Sequence, residues 1–215
     1  MISVYTGTPG SGKSYMATRA AYEWIVRLHP RPVIANYRLS FPDKYAGYFH
    51  YRSNADLTVD YLESFADEYF STHEFHESQI LLIQDEIQIT ANSRTWSDRD
   101  RLRWIEFYSQ HRHLGYEIIM IAQSTNMVDR QFRALFEYEV NHRKLSNFGI
   151  VGRLLSLVAF GRVYTQVTTY YGLKERIGVR FFVPRSKIFR LYDSFTIFRG
   201  KDSSNDGALL PDPSA

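Results

Sequence analysis

The chain has 215 residues, 44% of them hydrophobic, which is enough for one domain with a buried core. With no cysteine it uses neither disulfides nor thiolate metal sites, a usage that fits a reducing compartment. A net charge of +3 does not by itself mark a nucleic-acid binder, and no apolar run is long enough to span a bilayer.

The first element is a short β-prone run, Ile2 to Thr6, and it leads into Gly7-Thr8-Pro9-Gly10-Ser11-Gly12-Lys13-Ser14. This run satisfies G-x-x-x-x-G-K-[ST] at every fixed position, and apolar residues at helical spacing follow from Ser14 to Leu28. Strand, glycine turn and helix therefore come in the order a phosphate-binding loop needs. The glycines let consecutive N–H groups and the positive helix end face an anion. Lys13 is placed to reach the β- and γ-phosphates, and Ser14 offers a hydroxyl to Mg²⁺. The nucleotide-binding set is Gly7, Thr8, Pro9, Gly10, Ser11, Gly12, Lys13, Ser14 and Tyr15.

Val33 to Leu39 and Tyr48 to Tyr51 read as strands, and Leu57, Tyr61, Phe65 and Tyr69 recur every four residues as in a helix. Gln79 to Gln84, with its Ile80-Leu81-Leu82-Ile83 centre, reads as a strand buried on both faces and ends in Asp85-Glu86. Ser97 and Asp100 resemble a capping box for a helix running to about His113, closed by Gly115; Glu117 to Ala122 is a further apolar strand ending at Gln123. Beyond Arg133 the period changes. Phe136 to Leu145, Arg162 to Tyr171 and Arg176 to Phe182 alternate, as in an antiparallel addition rather than a second domain. The expected fold is α/β, a P-loop NTPase of RecA/ASCE-like kind: a mainly parallel sheet flanked by helices, with a small C-terminal antiparallel β addition. Its domain covers 1–199, with a core over about 1–135 and the addition over about 136–199. Residues 200–215 read as a loose tail or linker.

Two acids at a strand end are ordinarily a solvated loop, but after a complete phosphate loop they become a catalytic pair. Asp85 is then assigned to Mg²⁺ and Glu86 to the attacking water. Gln84 is a departure, polar where an apolar residue is expected. Gln123 is placed to touch the γ-phosphate or the water, or simply to face solvent. Arg112, Arg130 and Arg133 are candidates for an arginine supplied to a neighbouring site, with surface ion pairing as the ordinary alternative. The pairs His111/His113 and His73/His76 lack a third ligand at convincing spacing and are read as non-metal residues. The Arg94 to Arg103 and Arg130 to Lys144 clusters read as solvated faces, and Ile150 to Phe160 as a core element.

Several pieces together resemble the N-terminal ATPase domain of the zonula occludens toxin (Zot) family, which includes the assembly proteins of filamentous bacteriophages. They are Tyr5 to Ser14, Asp85-Glu86 with Gln88, Gln110-His111-Arg112-His113-x-Gly115, and Ile118 to Gln123. Asp129-Arg130, Arg133 and the late Leu191-Tyr192-x-Ser194 extend the likeness. The resemblance implies an ATP- and Mg²⁺-dependent enzyme at the cytoplasmic face of the host inner membrane. It would drive phage assembly and extrusion as a ring, with coat and assembly proteins and phage single-stranded DNA as partners. It also implies a membrane span after the ATPase domain, so this chain is expected to be a soluble fragment. Two other readings stay open: a non-catalytic scaffold or DNA-binding module that holds nucleotide, and a small-molecule kinase.

Overall fold

The structure is a computed structural model that describes residues 1–26, 29–90, 98–145 and 163–192. Its centre is β4 (Ile80–Gln84), buried along its whole length. Side chains alternate across a strand, so Ile80 and Leu82 enter one core while Leu81 and Ile83 enter another. Burying such side chains contributes about 1.5–3 kcal/mol each, which is why Ile80 to Ile83 are apolar without a break.

The first core lies under α2 (Val59–Thr72) and α4 (Asp98–Gln110), which supply Leu62, Ala66, Phe107 and Tyr108. The second lies under α1 (Lys13–Val26), which supplies Ala17, Ala21 and Ile25. Between them runs an eight-stranded sheet built from β1 (Ile2–Thr6), β2 (Val33–Ala35), β3 (Phe49–Tyr51), β4, β5 (Tyr116–Ile121), β6 (Tyr138–Lys144), β7 (Tyr164–Tyr170) and β8 (Glu175–Phe182). The spatial order is β3-β2-β4-β5-β1-β6-β7-β8. β5 thus separates β1, which feeds the phosphate loop, from β4, which carries the acid pair: the RecA/ASCE-like arrangement.

The antiparallel addition is present at the β6–β7 and β7–β8 pairs. Its first strand also pairs in parallel with β1, Ser3 opposite Tyr138 through Thr6 opposite Asn141, so the addition extends the core sheet. Element ends differ from the sequence expectation where side chains intervene. β2 stops at Ala35 because Asn36 turns its amide to the backbone of Asp85. α2 begins after Thr58, whose hydroxyl accepts from Tyr61 N. α4 ends at Gln110, and residues 111–115 turn into β5. Beyond β5 lie the one-turn α5 (Arg130–Arg133) and, past β8, α6 (Ser186–Phe189); α3 (Ile87–Thr90) follows the acid pair. The Ser97 cap, residues 150–160 and the tail 200–215 lie outside the described residues. Among the described residues no helix is long and apolar enough to cross a membrane.

Candidate functional site

The loop after β1 is forced by contact as well as by torsion. Gly7 has φ of 136°, and a Cβ there would lie 2.2 Å from the carbonyl oxygen of His142 and 2.7 Å from Ser11 Oγ. Only glycine fits. Gly12, with φ of 95°, has more room but is still crowded: a Cβ would be 3.3 Å from Phe182 and 3.4 Å from Tyr164. Inside this wrap the Lys13 ammonium donates to the carbonyls of Gly7 at 2.7 Å and Thr8 at 3.2 Å. Burial lowers its pKa, while Asp85 and Glu86 act in the other direction. Ser11 Oγ is buried with no hydrogen-bond partner. A tight turn with an ammonium and an orphaned hydroxyl fits the phosphates of a nucleotide, since each buried polar group left alone is costly.

At the end of β4, Gln84 keeps its inward place because the Tyr108 hydroxyl donates to its Oε1 at 2.7 Å. The strand register therefore survives a polar residue in the core. Asn36 then holds the backbone of Asp85 by two bonds: its Nδ2 donates to the Asp85 carbonyl at 2.8 Å, and Asp85 N donates to its Oδ1 at 2.7 Å. The Asp85 carboxylate accepts from Ser14 Oγ at 3.4 Å and from Glu86 N at 2.9 Å. Burial raises its pKa to about 6 against the pull of these bonds and of Lys13. A hydroxyl and a carboxylate in contact, the latter penalised for its charge by burial, are a donor set that suits Mg²⁺, a hard cation. Glu86 adopts φ of 53°, a left-handed conformation that costs a non-glycine residue about 1–2 kcal/mol. Its carboxylate accepts from the Gln88 side-chain amide.

Lys13, Ser14, Asp85 and Glu86 are thus brought together, whereas the other candidates are spread out. The Gln123 carbonyl accepts from Gly7 N at 3.3 Å, tying the end of β5 to the loop, and its side chain is exposed. Arg130 is exposed; Arg133 donates to Asn126 Oδ1 at 3.3 Å. Arg112, a candidate for an arginine supplied to a neighbouring site, lies away from this chain's own phosphate loop. It donates to Glu137 at 2.6 Å, and the same carboxylate accepts from Ile2 N at 3.0 Å, so Arg112 lies at the start of β1, the end of the strand opposite the phosphate loop. His111 is likewise committed there, its Nδ1 2.6 Å from the Tyr108 carbonyl and its Nε2 3.0 Å from the N-terminal amine. Sequence reasoning missed Asn36. Its signal was an asparagine directly after the apolar Val33-Ile34-Ala35.

Beneath the loop His142 is fully buried against the ring of Tyr5, 4.9 Å between centroids, and neither imidazole nitrogen has a well-aligned partner. Burial lowers its pKa from 6.5 to about 4. The unfolded chain then binds more protons than the native one between those values, so stability falls as pH drops through this window. The expected loss from this group is about 3 kcal/mol by pH 4. Urea melts across pH 4–7 should show it, and His142→Gln should flatten that part of the profile; an unchanged profile would rule out this account.

A cleft of about 190 Å³ opens beside the loop, lined by Gly10 to Tyr15 and by Tyr164, Pro184, Phe189 and Tyr192.

The Zonular occludens toxin (Zot) family model matches residues 1–197 of the chain. The Gene 1 protein of Enterobacteria phage I2-2 is 29% identical over 210 residues, 92% of this chain but 57% of that relative's length. Among solved structures, the N-terminal domain of zonular occludens toxin from Neisseria meningitidis superposes with a TM-score of 0.54 at 18% identity, covering 89% of this chain and 98% of its own. The genome packaging NTPase B204 from Sulfolobus turreted icosahedral virus 2, in complex with ATP-gammaS, gives 0.50 at 14%, covering 86% and 97%. These two likenesses carry the P-loop NTPase fold, and the match along nearly the whole sequence carries the family: the chain belongs to the zonular occludens toxin (Zot) family.

Proposed function

We propose that this chain is a Mg²⁺-dependent ATP hydrolase that powers assembly and extrusion of filamentous phage through the host inner membrane, acting as a ring. The observation that carries the reading is the contact between Ser14 of the phosphate loop and Asp85, with Glu86 next to it, in a chain related to a phage Gene 1 protein. Lys13 exchanges the Gly7 and Thr8 carbonyls for phosphate oxygens. Ser14 and Asp85 hold Mg²⁺, which neutralises charge on the phosphates when bound. Glu86 orients the attacking water and takes its proton as the oxygen bonds to the γ-phosphorus and the bridging bond to the β-phosphate breaks. Gln88 keeps the Glu86 carboxylate in place, and Gln123 stands at the end of the neighbouring strand where it can reach the water.

Charge developing on the transferred group calls for a cation from a neighbouring subunit. Arg130 suits that role best, since Arg112 is paired with Glu137 and Arg133 with Asn126. Partners follow from the same reading: coat and assembly proteins, and phage single-stranded DNA. Residues 136–192 carry ten Lys or Arg against three Asp or Glu, an asymmetry that favours an anionic partner on the C-terminal side. Membrane contact at the cytoplasmic face of the host inner membrane belongs to the same reading.

Hydrolysis per subunit should climb with protein concentration, and Arg130→Ala should remove the concentration-dependent part, about 10³-fold at saturation. A flat rate per subunit, with nucleotide bound tightly, would favour a nucleotide-holding scaffold instead.

A further inference from the structure

The cleft beside the phosphate loop has two chemically different ends. One is the loop itself, with Lys13 as the single charged side chain of the lining; the other is formed by Tyr164, Pro184, Phe189 and Tyr192, all from the C-terminal addition. The aromatic end rests directly on the loop. A Cβ at Gly12 would crowd Phe182 and Tyr164, and Tyr164 stacks on Phe182 with centroids 5.5 Å apart and planes 18° from parallel. Phe182 in turn stacks on Tyr15 at 5.8 Å.

The segment after β8 is anchored on this stack. Arg185 N donates to the Tyr15 hydroxyl at 2.9 Å, Ser40 N donates to the Leu191 carbonyl at 2.8 Å, and Ile188 and Leu191 are buried. Phe189 stands apart from these anchors. Its ring lies 5.0 Å from Tyr15 yet is 47% exposed, facing the cleft that begins at Gly10. Among the described residues this ring meets Tyr15 at a tilt of 45°, and no ring lies flat on it.

We infer that the C-terminal addition is the nucleobase site: the exposed ring of Phe189, in a lining shared with Tyr164 and Tyr192, stacks on a purine while the loop holds the phosphates attached to it. This rests on the nucleotide reading above and names the residues that recognise the base. Every base has a π-face, so stacking tolerates different bases; among the described residues the aromatic end of the lining offers the Tyr164 and Tyr192 hydroxyls, which can each donate or accept and so do not select one purine edge. ATP and GTP should therefore bind within about tenfold of each other.

Calorimetric titration of the chain with MgATP, MgGTP and inorganic tripolyphosphate tests this. Phe189→Ala should weaken both nucleotides by about tenfold, the effect of losing one stack, and leave tripolyphosphate unchanged; Phe189→Trp should restore the nucleotides. The inference is overturned if Phe189→Ala leaves ATP binding intact, weakens tripolyphosphate equally, or if ATP is preferred to GTP by more than about 100-fold. If Lys13→Ala fails to weaken tripolyphosphate while the Phe189 series behaves as expected, the phosphate-loop reading fails and the aromatic site stands. If no nucleotide binds at all, both fall.

Discussion

Lys13→Ala should reduce ATP hydrolysis by at least about 10²–10³-fold, the scale of removing one preorganised donor from a site where charge develops. The ammonium is half-buried between the loop carbonyls and the two acids, so its attraction to a phosphate is poorly screened. Little stability should be lost with it. The two hydrogen bonds to Gly7 and Thr8 contribute about 0.5–1.5 kcal/mol each, and removing a charge whose pKa burial already depresses offsets part of that. Lys13→Arg should not rescue, because a planar guanidinium does not fit the point at which a compact ammonium meets the loop. The check is steady-state hydrolysis beside a thermal melt of the same sample. Activity within tenfold of the unaltered chain would remove Lys13 from the machinery.

Glu86→Gln should keep nucleotide affinity and lose about 10²–10⁴-fold in turnover, the contribution of a positioned general base. The substitution is nearly isosteric, and its amide oxygen can still accept from Gln88, so the left-handed turn at residue 86 is undisturbed. What disappears is the ability to take a proton. Single-turnover hydrolysis set against equilibrium binding separates the two effects. Intact turnover would place the base elsewhere, and lost binding would make Glu86 a ligand of the nucleotide or its metal rather than a base.

These two residues illustrate what a linear reading can reach. The phosphate loop is written in consecutive residues because its shape is a run of consecutive torsions, with positive φ at Gly7, Gly10 and Gly12. The acid pair is legible because a strand buried on both faces must be continuously apolar and must stop where polar side chains meet solvent. Gln84 looked like a break in that pattern, since its partner Tyr108 lies 24 residues away on another element. For Arg112 a motif shows composition and spacing, but not that the side chain falls at the start of β1, the end of the strand opposite the phosphate loop.

By itself, then, the sequence determined the phosphate loop, the strand that ends in acids and the α/β class, all of which depend on local torsion and on periodic burial, and its motifs carried the resemblance to the family. The tertiary structure decided the rest. Only strand order sets β5 between β1 and β4 and lets Asn36 fasten Asp85 from 49 residues away. Only the packing of β7, β8 and α6 onto the loop brings Tyr164 and Phe189 to Gly12 and Tyr15. The physical reason is that such contacts are selected by the shape and chemistry of two surfaces meeting in space, and residues far apart in the chain carry no mark of which surface they will meet.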